Sequence, residues 1–134
     1  MKSLQTFHLS KAGERAFGYA QAVSDGNTLY VAGTLSIDDA FAPVAPDDMR
    51  GQLENVYSRI RRTLDSHGIG FASVLKETVF VTDMEAFIAA NDVRIRTYGS
   101  HVPACTAVKV IGLAFAPCMV EIELVASLTH AGLE

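Results

Sequence analysis

The residues best suited to chemistry lie in two segments near the C-terminal end of the chain. Val102 to Val110 reads VPACTAVKV and Val120 to Ala126 reads VEIELVA, and both alternate as strands do. The second carries Glu121 and Glu123, two residues apart and so on one strand face, about 7 Å from each other. A carboxyl drawn into a cleft has its pKa raised by desolvation, and near neutrality it can both accept and deliver a proton. The first segment carries a thiol, Cys105, at its mouth. A thiol attacks only as thiolate, which wants a cationic neighbour. Lys109 shares its strand parity but sits about 13 Å away along an ideal strand. A thiol and two carboxylates on neighbouring strands suggest a small-molecule site. His101 and Cys105 do not extend it to a metal, since Pro103 between them breaks any helix face and a zinc site needs more ligands. No P-loop, dinucleotide fingerprint or Ser-His-Asp pattern is present.

Other elements must position these residues. Phe17 to Val23 and Thr28 to Ala32 read as strands, and Ser24-Asp25-Gly26-Asn27 between them is turn chemistry, so a hairpin is predicted. Leu29 to Ala32 is apolar on both sides, as in a strand buried on both faces. Gly33 follows, relieving a bend or admitting a ligand close to the backbone. Ile37 to Pro46 is a loop. Asp47 or Asp48 caps a helix whose stripe is Met49, Leu53, Val56, Ile60 and Leu64, and His67-Gly68 ends it. Val74 to Thr82 is the next strand. Asp83 caps a second helix with Phe87, Ile88, Ile95 and Tyr98 inward, ended by Gly99 and Pro103. Asn91, four residues after Phe87, falls on that buried stripe, where its amide must be hydrogen-bonded. The tail His130 to Glu134 frays. The order is β-β-α-β-α-β-β, an α+β fold with two helices on one face of a mixed sheet. The other face has no cover within the chain.

Bulk properties narrow the classes. At 134 residues, 1–134 is read as one domain. Hydrophobic residues make up 49% and mean hydropathy is +0.22, an apolar surplus that points to a buried subunit interface. A net charge of −4 argues against nucleic acid. The basic cluster Arg59, Arg61 and Arg62 lies near Glu54 and Asp65 and reads as a solvated helix face. His67 reads as a helix C-terminal residue favoured by the dipole, and His8 and His130 as exposed. Cys105 and Cys118 make no disulfide framework, and neither a signal peptide nor a membrane-length apolar run occurs, so the expected location is the cytoplasm.

The layout and several local motifs resemble the RidA/YjgF/YER057c, or reactive intermediate deaminase, family. Phe17-Gly18-Tyr19-Ala20-Gln21 is similar to its G-P-Y-x-Q, and Leu29 to Leu35 to its strand ending in S-G-Q. Glu77 to Asp83 (ETVFVTD) resembles K-x-T-V-F-x-x-D, Asn91 matches a second-helix asparagine, and Val120 to Glu123 matches V-E-I-E. The resemblance covers about residues 17–128. It implies a homotrimer in which three chorismate-mutase-like sheets close into a barrel, with a ligand cleft between subunits. It also implies hydrolysis of enamines or imines to an oxo compound and ammonia, without metal or organic cofactor. By resemblance Glu121 handles the water and the proton, and Tyr19, Gly33, Asn91, Cys105 and Thr106 line the substrate site. The partners implied are a small molecule and copies of the same chain, with neither nucleic acid nor membrane. The family's ribonuclease label fits poorly with an acidic chain.

One position departs from the pattern. Deaminating members follow Pro-Ala with an arginine that grips the substrate carboxylate, and here Pro103-Ala104 is followed by Cys105. Losing that contact costs about 2–4 kcal/mol of binding. Cys105 is then a small apolar filler, the mark of a cleft retuned for a ligand without a carboxylate there, or a reactive thiol. Two functions follow: a hydrolase of altered specificity, or a non-catalytic, regulatory trimer that binds a small metabolite or a partner protein in the same cleft.

Overall fold

A computed structural model describes residues 1 and 3–131. Six strands form one sheet in the order β1-β2-β3-β6-β4-β5, with β1 Gln5–Phe7, β2 Ala22–Ser24, β3 Thr28–Leu35, β4 Val74–Val81, β5 Ala104–Lys109 and β6 Val120–Ser127. Only β4 and β5 are parallel. The helices are α1 Lys11–Phe17, α2 Met49–Asp65, α3 Met84–Ala89 and α4 Asn91–Tyr98. The α+β class and the mixed sheet agree with the sequence expectation.

The central helix and its caps form where the sequence places them. Asp48 accepts from the Gly51 amide, Met49, Leu53, Val56, Ile60 and Leu64 are all buried, and Gly68 beyond the end takes a positive φ. Asp83 caps α3 in the same manner through Ala86. The predicted hairpin forms as β2 and β3, with Asp25 accepting from the Asn27 and Thr28 amides in the turn. The apolar faces of α2, α3 and α4 meet Leu29, Val31, Val79, Val81, Ile122 and Leu124 in one core.

Three expectations need correction. Residues 17–21 are not strand. A short strand β1 and helix α1 precede them, and α1 ends at Gly18 with φ +87. Burial drives this: Glu14, an acid in a polar stretch, is fully buried and ties the segment together. The second helix breaks at Ala90 into α3 and α4, which resets the inward face to Phe87, Ala90, Val93 and Tyr98. Ile88 and Ile95 are consequently exposed, and Asn91 is half-buried at the first position of α4 rather than on the buried stripe. Finally, β3 is not buried on both faces within this chain, since Tyr30 is exposed. At the C-terminal end, His130 is exposed and bonds Thr129, while 132–134 lie outside the described residues.

The sheet face away from the helices carries Tyr30, Ala32, Thr78, Phe80, Glu121, Glu123 and Val125, half-buried or exposed. All six residues of the edge strand β5 are exposed.

Candidate functional site

A cavity of about 500 Å³ opens at the C-terminal end of β3, where Tyr19, Gly33, Arg59, Phe80, Glu121 and Glu123 meet Phe17, Phe41 and Phe115. Its acid is placed by register. Glu121 lies opposite Phe80 of β4 and Leu35 of β3, so it faces away from the helices. A bulge interrupts the β3–β6 ladder between Val31 and Thr34, and Gly33 sits in it. A Cβ on Gly33 would stand 2.8 Å from the Glu121 Cδ. The glycine therefore makes room for this carboxyl, a more specific role than either reading of the sequence. The start of β6 is fastened from the helix layer: the buried Gln52 amide donates to the Ala45 and Pro117 carbonyls and accepts from the Met119 amide.

Burial pushes the Glu121 carboxyl above the ordinary carboxylate range, and the charge of Glu123 adds to this. A carboxyl so placed can take a proton from water and return it at neutral pH. Tyr19 follows the left-handed Gly18, and its amide donates to the Glu14 carbonyl. The Glu14 carboxylate accepts from the amides of Leu9, Ser10 and Gln21 and pairs with His8 Nδ1 at 2.7 Å. His8 is thus largely buried against a carboxylate, contrary to its expected exposure. Burial, followed by the nearby Glu14, raises the Tyr19 hydroxyl's pKa, so Tyr19 remains a proton-bearing donor.

Cys105, Thr106 and Asn91 do not join this cavity. In the parallel β4–β5 pairing Cys105 lies opposite Glu77, three residues before the Glu121 partner Phe80 and on the opposite side of the sheet. The expected thiol-and-carboxylate cluster is therefore not assembled within one chain. The Cys105 thiol instead donates to Glu77 at 3.6 Å. Glu77 is fully buried and also accepts from Tyr57, Tyr98 and Arg94 Nε. Burial and the Glu77 charge push the Cys105 thiol's pKa up, which disfavours the reactive thiolate. Thr106 accepts from Lys76 at 3.2 Å on the exposed edge.

Two members of these polar assemblies have little sequence signature. Glu77 stands in a β-branched strand and Glu14 near a helix start, and only burial distinguishes them from surface acids. Arg59 corrects the solvated-face expectation: it is 4% exposed, whereas Arg62 pairs with Asp39 at the surface and Arg61 stacks over Phe71. Its position between the buried Val56 and Ile60 places it on the inner side of α2. Among the described residues, no group of three His, Cys, Asp or Glu side chains is placed to hold a metal ion. Among the described residues, no helix is long and apolar enough to cross a membrane.

Comparison with known proteins assigns this mixed sheet with its helices to a family. The chain belongs to the family described as endoribonuclease L-PSP, whose model matches residues 10–128. It is 33% identical over 108 residues to a RutC family protein of Pyrococcus horikoshii, covering 81% of this chain and 85% of that one. It is also 33% identical over 108 residues to the 2-iminobutanoate/2-iminopropanoate deaminase of Capra hircus, covering 81% and 78%. Among solved structures, a Mycobacterium tuberculosis member of the YjgF/YER057c/UK114 family superposes with a TM-score of 0.81 at 28% identity, covering 93% of this chain and 99% of that one.

Proposed function

We propose that this protein is a cofactor-independent hydrolase of small imines or enamines, with Glu121 as its catalytic residue. The observation that carries this reading is the Glu121 carboxyl, raised in pKa by burial and seated over Gly33 in a cavity beside Tyr19. On the substrate iminium, whose nitrogen already carries the proton, Glu121 takes a proton from water as the water oxygen bonds to the C=N carbon and the C=N π pair moves to nitrogen, giving a neutral carbinolamine. Glu121 then returns this proton to the nitrogen of the adduct, the C–N bond breaks as the carboxylate takes up the hydroxyl proton, and the carbonyl compound leaves with ammonia, which carries that last proton away as ammonium. Tyr19 donates a hydrogen bond to the substrate, and Gly33 leaves room for the Glu121 carboxyl that faces it. The relatedness to an iminobutanoate/iminopropanoate deaminase supports this chemistry over the family's ribonuclease description, which an acidic chain serves poorly.

The open sheet face and the exposed β5 suit burial against further copies, and we assign the protein a homotrimer with a cleft between subunits, working in the cytoplasm. In that assembly Cys105, Thr106 and Asn91 would line a neighbour's cleft. With cysteine where an arginine grips carboxylate, specificity differs from that of the arginine-bearing members. The same departure favours a second reading, a binding trimer without turnover. Ammonia release from freshly generated 2-iminopropanoate and ethanimine, with wild type and Glu121→Ala, separates the two. Turnover abolished by the substitution supports the hydrolase, and absence of turnover on every imine overturns it. Light scattering tests the trimer.

A further inference from the structure

Arg59 has more hydrogen-bonding capacity than the chain satisfies. It enters from α2 and donates through one guanidinium nitrogen to the Leu35 carbonyl at 3.1 Å. Its Nε and its other terminal nitrogen are buried and have no partner among the described residues. Guanidinium presents five N–H donors and stays charged, so a buried one is normally paired with an anion. Burial lowers the Arg59 pKa, the cost of holding that charge away from water. The acids whose charge acts on Arg59 do not pair with it: Asp39 pairs with Arg62, and Glu14 is occupied by three amides and His8. Yet Arg59 lines the same cavity as Glu121, Tyr19 and Gly33. The cavity lining thus holds Glu121 and Glu123, an unsatisfied fixed cation and several phenylalanines.

We propose that Arg59 is an anion-recognising residue of this cavity, holding the carboxylate of a compact 2-imino acid or 2-oxo acid while the C=N or C=O carbon faces Glu121. The inference rests on the proposed imine hydrolysis for its substrate class, and on the geometry of Arg59 alone for its anion. It transfers carboxylate recognition from position 105, a cysteine, to α2. Reaching the two free nitrogens requires a side chain of the cavity wall to turn aside, and Tyr19 and Phe17 at the mouth are both exposed.

The test compares two imines that differ only by a carboxylate, 2-iminopropanoate and ethanimine, with equilibrium binding of pyruvate as a readout independent of turnover. For Arg59→Gln, kcat/KM on 2-iminopropanoate is expected to fall about 10- to 100-fold, mostly through KM, with ethanimine changed less than about twofold. Arg59→Lys should recover part of the loss. Pyruvate affinity should fall by a similar factor. Equal losses on both imines would show a structural role and overturn the proposal, as would an unchanged pyruvate affinity. If the wild type hydrolyses neither imine, imine hydrolysis fails, and pyruvate binding alone decides Arg59: binding lost in Arg59→Gln upholds it, and no binding by the wild type overturns it. Should Arg59→Gln not fold, the wild-type protein still decides, since equal affinity for pyruvate and neutral acetone overturns the proposal and a marked preference for pyruvate upholds it.

Discussion

Gly33→Ala isolates the contribution of the bulge to the site. The added Cβ would lie 2.8 Å from Glu121 Cδ and 3.0 Å from its Oε1. Carbon atoms in contact settle at about 3.5–4.0 Å, so the carboxyl must retreat by roughly 0.7–1.2 Å. Gly33 does not require a positive φ, so alanine adds no backbone strain there. The group displaced is the end of a flexible side chain, and the fold should lose less than about 1 kcal/mol. A misplacement of about 1 Å in a reacting group costs about 100-fold in rate, or about 2.7 kcal/mol of barrier. The expected outcome is therefore a large fall in kcat for imine hydrolysis beside a nearly unchanged melting temperature. Measured together on one preparation, unchanged kcat with a soluble, folded variant would refute the placement of Glu121 by Gly33.

Further expectations follow from other contacts. Glu123→Gln removes the neighbouring charge that helps raise the Glu121 pKa, so the acid limb of kcat/KM, set by loss of the Glu121 carboxylate as pH falls, should move to lower pH; a limb that stays in place or moves up would contradict the cause assigned. Glu77→Leu leaves Arg94 without its partner and two buried tyrosine hydroxyls without an acceptor, and should cost about 3–5 kcal/mol in urea unfolding. A loss below about 1 kcal/mol would mean that the network is not held by the acid. Asp48→Ala removes the α2 cap and should cost about 1 kcal/mol, measured the same way, without altering kcat.

The α2 stripe, both aspartate caps, the hairpin and the pattern of β4 and β6 were legible because each follows from local spacing. What failed was decided by side-chain partners and strand pairings that residue spacing does not reveal. Strand parity puts Glu121 and Glu123 on one face, but it cannot say which face Cys105 takes until the pairing of β4 with β5 fixes Glu77 opposite it. Residues 17–21 have strand-like composition and still fall at a helix end, because Glu14 gathers three amides and His8 around itself. Arg59 reads as one of a charged cluster, and only its neighbours Val56 and Ile60 hint that it points inward. The helix break at Ala90 has no glycine or proline to announce it, so Ile88 and Ile95 read as core and are exposed.

The separation of the two cysteines has a practical use. Cys118 is 2% exposed, whereas Cys105 is exposed at the sheet edge against Glu77. A fluorophore or spin label introduced without any mutation should therefore attach at one position, fastest at alkaline pH because the thiol is held protonated. Within one chain that probe sits on the side of the sheet away from Glu121. Its signal would follow the docking of α4 and the approach of neighbouring copies along β5, giving an optical record of assembly alongside any measurement of turnover.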